Sequence, residues 1–271
     1  MTPLLGNAPD DTVTVMTYNV RRPLPTWITP PADHWPARRP RLTALLAAER
    51  PMVLGAQEVF PAPARDIRGA LGDGYRFTGR GRGRGGRGEG CPIFYDSTRL
   101  ELIGADQTAL SATPRVAGSR TWGNASPRTL VTATFRHPAS GAEFAVVNTH
   151  FDPFSQRSRI ESARRVRTVA RDLSIPVVVM GDLNSRAGSP TLTALLAGGD
   201  LRDAWLGADE RVTPSWGTFG GYREPVIGGP RIDWIVTTEG VQVSRIGADH
   251  RRVDGRWPSD HLPISAWLRF P

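Results

Sequence analysis

The sequence predicts an α/β fold in which two packed β-sheets are flanked by helices. Three observations carry that expectation. Nine short runs rich in β-branched and aromatic residues recur along the 271 residues. Three stretches with helical periodicity lie among them. No linker, internal repeat or break in composition divides the chain, so strands and helices belong to one domain, 1–271. Residues 1–11 are expected to form a loose N-terminal segment.

The elements follow in order. "TVTVMTYNV" (12–20) and "MVLGAQEVF" (52–60) read as strands. Between them, "PARRPRLTALLAAER" (36–50) places Leu42, Leu45, Leu46 and Ala48 on one helical stripe. "CPIFYD" (91–96), "RTLVTATFR" (128–136) and "EFAVVNTHF" (143–151) are strands again. "SQRSRIESARRVRTVARDL" (155–173) spaces Ile160, Ala163, Val166, Val169 or Ala170, and Leu173 three to four apart, with arginines on the other face. "PVVVMGDLN" (176–184) contains an unbroken apolar run, as a strand buried on both faces does. In "SPTLTALLAG" (189–198), Ser189 is the N-cap and Pro190 opens the first turn. "RIDWIVTT" (231–238), "VQVSRIG" (241–247) and "LPISAWLRF" (262–270) complete the strands.

Composition narrows the function. Glycine (29) and proline (24) together fall short of the ~25–30% share of low-complexity chains, so this is a globular protein with many turns. The formal charge is +8, and every basic residue is arginine. Arginine's planar fork suits phosphate oxygens, which favours an anionic partner such as nucleic acid, a phosphorylated small molecule or a lipid headgroup. The single cysteine, Cys91, cannot form an intramolecular disulfide and favours a reducing compartment. No signal-peptide pattern opens the sequence and no apolar stretch approaches the ~20 residues of a membrane span, so a cytoplasmic location is expected.

The informative pattern lies at strand ends. The first strand ends in Asn19, the second in Glu58, "AVVNTH" in His150, and "VVVMGDLN" in Asp182 and Asn184. "RIDWIV" carries Asp233, and Asp260 and His261 precede the last strand. Alone, each is an ordinary turn residue. Converging on one rim, they are the oxygen-rich inventory of a hard cation such as Mg²⁺. Zinc would demand more His or Cys in close spacing.

The ordered series "TYNV", "QEV", "GEGCPIFYD", "NTHFD", "GDLNS", "RIDWIV" and "PSDHLPI" resembles the endonuclease/exonuclease/phosphatase superfamily over residues 12–270. The resemblance implies a four-layer α/β/β/α sandwich of two mixed sheets flanked by helices. It implies that Asn19, Glu58 and Asp260 hold Mg²⁺ or Mn²⁺, and that Asp182 orients or deprotonates the attacking water. Asn184 is then expected at the phosphate, and His150 and His261 at the phosphoryl oxygens. Glu89 matches the carboxylate partner of His150, and Asp233 that of His261. The expected reaction is hydrolysis of a phosphodiester, with phosphomonoester hydrolysis of a sugar or inositol phosphate as the alternative, by a monomer.

One stretch remains, "GRGRGRGGRGE" (79–89). Its G-x-G-x-x-G spacing is followed by a strand rather than the helix that a dinucleotide site needs. It is too short and too internal for an RGG-type RNA tether, although a non-catalytic nucleic-acid-binding protein is the competing reading from another class. We read it as a rim loop that brings Glu89 to His150 and carries Arg82, Arg84 and Arg87 to the anionic substrate. Arg128 opens a strand beside the site and is a further expected substrate contact. Trp122, Trp216, Phe219 and Trp257 fall in loop-like segments, where they would either stack on a ligand or cover the core.

Overall fold

Alternation along the central strands generates the layers. In the computed structural model, which describes all 271 residues, the elements in chain order are β1 (Val13–Asn19), α1 (Trp35–Glu49), β2 (Val53–Gln57), α2 (Pro61–Leu71), β3 (Tyr75–Thr78) and β4 (Ile93–Asp96). They continue as β5 (Glu101–Ala109), β6 (Thr129–His137), β7 (Ala142–His150), α3 (Gln156–Asp172), β8 (Val177–Asp182) and α4 (Pro190–Leu196). The last are β9 (Leu201–Asp203), α5 (Ala204–Gly207), β10 (Glu210–Arg211), β11 (Asp233–Thr238), β12 (Gln242–Ala248) and β13 (Ile264–Arg269).

One sheet runs β10-β12-β13-β1-β2-β4-β3 and the other β5-β6-β7-β8-β11-β9. Both are mixed: β1 and β2 are parallel, as are β7 and β8, while β1 and β13, and β8 and β11, are antiparallel. On β7, Phe144 and Val146 face the other sheet, and Ala145 and Val147 face α3. On β8, Val178 and Met180 point inward and Val177 and Val179 outward, which explains the unbroken apolar run. The opposite outer layer packs Leu42, Leu45 and Leu46 of α1 and Ile67 of α2 on Met16 and Leu54. The result is the four-layer α/β/β/α sandwich. No helix is long and apolar enough to cross a membrane.

Local signals explain most boundaries. Ser155 and Ser189 cap α3 and α4, each hydroxyl accepting a backbone N–H three residues on. β2 stops at Gln57, not Phe60, because Glu58 has φ 62°. Helix α2 was not expected. Its prolines 61 and 63 lie in the first turn, where a missing N–H costs nothing. Residues 1–11, expected to be loose, are fastened: Leu5 is buried, and the Leu4 N–H donates to Glu49 at 2.9 Å.

Within the apolar interface between the sheets lies a polar bridge. Gln57 Nε2 of β2 donates to Asn148 Oδ1 of β7 at 2.8 Å, and Asn148 Nδ2 donates back to the carbonyls of Ala56, Cys91 and Pro92. Burying these amides is tolerable because both NH2 groups find acceptors, and only Gln57 Oε1 is left without a partner. The bridge sits one residue before Glu58 and two before His150, so it ties the rims of the two sheets together.

Candidate active site

The site forms where the ends of both sheets meet. β7, β8 and β11 are neighbours, with His150 opposite Asp182 and Asp182 opposite Asp233. Gly181 makes this possible, since a side chain there would run into the Thr149 carbonyl. From the other sheet, β1 supplies Asn19, and the turn after β2 supplies Glu58. The loop before β13 supplies Asp260 and His261. Arg38 braces this side from inside α1, donating to the carbonyls of Val20, Arg21, Asp33 and Pro258. Together the walls enclose a cleft of about 300 Å³.

Asp182 is central. Its Oδ1 accepts the Asn184 N–H at 2.9 Å, and its Oδ2 accepts Asn19 Nδ2 at 3.0 Å. His150 Nε2 lies 3.4 Å and His261 Nε2 3.7 Å from the same Oδ2. Burial, with Asp233 adding to it against the pull of His261, pushes the Asp182 carboxyl up to about 7.

The two histidines differ. His261 Nδ1 and Asp233 Oδ2 are 2.9 Å apart, the expected pairing. Burial would lower the His261 pKa, but Asp233, Asp182 and Asp260 outweigh it and push it up to about 10, so the ring is an imidazolium. Phe219 packs against that ring with centroids 4.9 Å apart. His150 makes no hydrogen bond to Glu89, contrary to expectation. Glu89 is taken instead by Arg82 Nη1 at 2.6 Å and Arg22 Nη1 at 3.0 Å. With burial and then Arg128, Arg82, His261 and Arg22 around it, the His150 pKa lies well below the ordinary value, and the ring is neutral.

The residues expected to hold a metal also meet at the cleft. Glu58 Oε2 accepts the Arg22 N–H at 3.0 Å, and Oε1 accepts Asn19 Nδ2 at 3.2 Å. Burial opposes ionisation of Glu58, but these hydrogen bonds and Arg21 hold its carboxyl below the usual range. Asp260 is raised by burial and by Glu58, with His261 and Arg21 acting the other way. Two carboxylates that disfavour each other's charge, with an amide between Glu58 and Asp182, make an oxygen-rich pocket that suits a hard divalent ion. Asp182, Asp233 and His261 offer atoms within 4.8 Å of one another. There, Asp233 Oδ2 and His261 Nδ1 are committed to each other, whereas Asp233 Oδ1 has no hydrogen-bond partner. Asn19 turns its Nδ2 toward the carboxylates, while its Oδ1 accepts the Arg21 N–H. Turning the amide over would present the oxygen.

Residues 16–261 match the endonuclease/exonuclease/phosphatase family. The chain belongs to this family. A family protein from Bacteroides thetaiotaomicron superposes with a TM-score of 0.88 at 29% identity, covering 96% of this chain and 98% of its own. A mannosyl-6-phosphatase from the same organism gives 0.86 at 28% identity, over 95% of this chain and 100% of its own. A Bacteroides vulgatus family protein gives 0.87 at 27%, over 96% and 99%. A comparison with curated proteins returns no match. As a member of the endonuclease/exonuclease/phosphatase family, the protein is a hydrolase of phosphoester bonds, which sets aside a purely binding role. Members of the family are typically dependent on a divalent metal.

For this family protein, the structure divides the expected substrate contacts. Arg82 and Arg128 line the cleft. Arg84 and Arg87 are exposed and do not. The reason is that the Gly/Arg loop is a hairpin closed by backbone hydrogen bonds, not an extended arm. Arg82 N–H donates to the Glu89 carbonyl and Gly83 N–H to the Arg87 carbonyl, both at 2.9 Å. Gly81 bridges Gly90, and a Cβ on Gly81 would collide with the Gly86 and Arg87 carbonyls. This folding turns Arg82 and Glu89 inward and its neighbours outward. Asn184 lines the cleft, with Nδ2 donating to the Phe151 carbonyl at 3.0 Å. Trp122 and Trp216 pack on the core, and Trp257 donates to the His250 carbonyl. Of the four aromatics only Phe219 lines the cleft, joined by Phe154, which is 83% exposed. Arg22 is a cleft residue that the sequence did not point to. It lies in "RRPLP", which has no periodicity, and its partner Glu89 is 67 residues away.

Proposed function

We propose that the protein hydrolyses phosphoesters by attack of water on phosphorus, with Mg²⁺ or Mn²⁺ held by Glu58, Asp260 and Asn19. Asp182 takes the proton from water. The observation that carries this reading is the position of Asp182: it lines the cleft, pairs with no arginine, and its Oδ2 lies between the Nε2 atoms of the two imidazoles. A carboxyl near 7 is matched to a general base at neutral pH. His261, charged by Asp233, donates Nε2–H to a phosphoryl oxygen, where negative charge grows as the ester bond breaks. Neutral His150 and the Asn184 amide complete the polar wall. The bound cation supplies positive charge to the phosphoryl oxygens.

The ester class has two supports. The +8 charge suits a polyanionic diester. The likeness to a mannosyl-6-phosphatase suits a phosphomonoester. The cleft draws on the ends of both sheets, in keeping with a single catalytic domain. The test is product release from 4-nitrophenyl phosphate and bis(4-nitrophenyl) phosphate by metal-stripped protein, before and after Mg²⁺ or Mn²⁺ is restored. Turnover that persists in chelator would overturn the metal-dependent reading.

A further inference from the structure

The cleft reverses the usual order of a protein surface. Fifteen residues line it, and the polar ones among them are all buried or half-buried. The three that are exposed, Pro153, Phe154 and Phe219, are all apolar. One exposed apolar side chain needs no explanation. Three at the mouth of one cleft, above a floor of buried carboxylates and histidines, do need one, because polar groups ordinarily stand outermost.

Both phenylalanines are mounted on fixed backbone. Phe154 is 83% exposed, yet the fully buried Asp152 accepts its N–H at 3.0 Å and that of Ser155 at 2.8 Å, and Arg159 Nη1 donates to the Asp152 carbonyl at 2.8 Å. Phe219 is 53% exposed and forms an antiparallel bridge with His261. The Thr218 carbonyl accepts the Leu262 N–H at 2.8 Å, and the Asp260 carbonyl accepts the Gly220 and Gly221 N–H groups at 3.0 and 3.2 Å. Each ring therefore belongs to a different wall: Phe154 follows His150 by four residues, and Phe219 leans on the His261 ring. Neither has a polar atom to offer a metal or a phosphate. A phenyl ring offers a flat apolar face, and here at little ordering cost because its backbone is already held.

Resting on the phosphoesterase reading above, we infer that the organic group of the ester carries a ring with an apolar face, which lies against Phe154 and Phe219 at the mouth while the phosphate sits on the polar floor. The two phenylalanines are then specificity-determining residues for the organic group, and they are indifferent to whether phosphorus carries one ester bond or two. The orientation follows from the lining. Reversed, the ring would strip water from buried carboxylates and arginines, and the phosphate would meet carbon. The ring chemistry that fits is shared by two sources, the π face of a nucleobase and the C–H face of a pyranose. An acyclic polyol phosphate has no flat face and gains nothing from the mouth.

The experiment measures kcat and KM of the Mg²⁺-loaded wild type and of Phe154→Ala on a nucleoside 5′-monophosphate, a hexose 6-phosphate and the acyclic glycerol 3-phosphate, with 4-nitrophenyl phosphate and bis(4-nitrophenyl) phosphate as further ring-bearing esters. Comparing variant with wild type on each substrate cancels the intrinsic reactivity of its leaving group. Phe154→Ala should raise KM about 5- to 100-fold on ring-bearing esters, the range for losing one stacked ring, with kcat changed by less than about threefold and glycerol 3-phosphate by less than about twofold. A loss on the nucleotide supports the inference with a nucleobase as the ring, and a loss on the hexose phosphate supports it with a pyranose. Phe154 buries little of its surface, so the variant should fold. Phe219→Leu keeps an apolar cover on His261 and should act in the same direction. Equal losses on glycerol 3-phosphate and on the ring-bearing esters, or no loss on any, would overturn the inference and leave the phosphoesterase reading standing. A wild type that turns over no ester in Mg²⁺ or Mn²⁺ would overturn that reading itself. Calorimetry gives a readout apart from turnover. The Mg²⁺-loaded wild type should bind phenylphosphonate about fivefold or more tighter than methylphosphonate, and Phe154→Ala should remove the preference. Equal binding of the two phosphonates by the wild type would sink the proposal whatever the turnover.

Discussion

The two histidines of the cleft are the same residue in opposite surroundings. His261 stands among Asp233, Asp182 and Asp260 and keeps its proton to about pH 10. His150 stands among Arg128, Arg82 and Arg22 and is neutral. Both are buried, so exposure does not separate them; the sign of the neighbouring charges does. One wall of the cleft is therefore an acidic wall holding a cation, and the other a basic wall around a neutral ring. A histidine at a strand end marks a polar rim, but only its neighbours decide whether it is held as an imidazolium or as a neutral ring.

The largest expected effect breaks the seam between the walls. Asp182→Asn should lower kcat by ~10²–10⁴. The metal-free variant should melt no lower than the wild type at pH 8, because it removes a carboxylate that burial has pushed up to about 7. A clear drop in melting temperature would assign Asp182 a structural role instead.

Next, Asp233→Asn removes the counter-charge of the acidic wall. It should cost about 10- to 100-fold in kcat, and the NMR titration of His261 should move down from about 10. An unmoved titration would mean that Asp233 does not hold the proton on the ring.

Stability against pH sharpens the contrast. The pKa of His261 is raised in the fold. Its contribution is fully present below about pH 6.5, the ordinary value, and is lost as pH rises through about 10. The pKa of His150 is depressed, so below about pH 6.5 the unfolded chain takes a proton that the folded ring refuses, and stability falls with falling pH. Each pH unit of displacement corresponds to about 1.4 kcal/mol. In chelator, His150→Gln should flatten the acid limb of the melting curve. His261→Gln should flatten the alkaline limb, measured in an Asp182→Asn background because Asp182 slopes in the same sense. Changes on the same limb would erase the distinction.

The smallest effect concerns the Gly/Arg loop. Arg84→Ser with Arg87→Ser should leave KM within twofold, since both side chains point to solvent. A larger change would show that the hairpin opens to bring them to the substrate.

Much of this was legible in the sequence because polar residues interrupt apolar runs at strand ends, where a sheet must stop being buried. Asn19, Glu58, His150, Asp182 and Asp233 all announced themselves in that way, and Ser155 and Ser189 announced their helices. What was not legible depends on long-range contact. β5 is an edge strand, mostly exposed, and so has no apolar alternation to read. The fate of Glu89 is set by Arg22, and no local rule links a proline-rich turn to a glycine-rich one. The loop glycines suggested flexibility, whereas here they permit close backbone packing.

The Gln57–Asn148 bridge has a consequence for how the halves of the sandwich dock. Two apolar faces attract without direction, so sliding one over the other by two residues, about 7 Å, exchanges one aliphatic contact for another at modest cost. The amides do not allow it. Any other offset strands four buried hydrogen bonds at once, those of Asn148 with Gln57, Ala56, Cys91 and Pro92. The bridge thus acts as a dowel pin: it adds little to the attraction between the sheets but fixes their alignment, and with it the span from Glu58 to His150 that the substrate phosphate must fit.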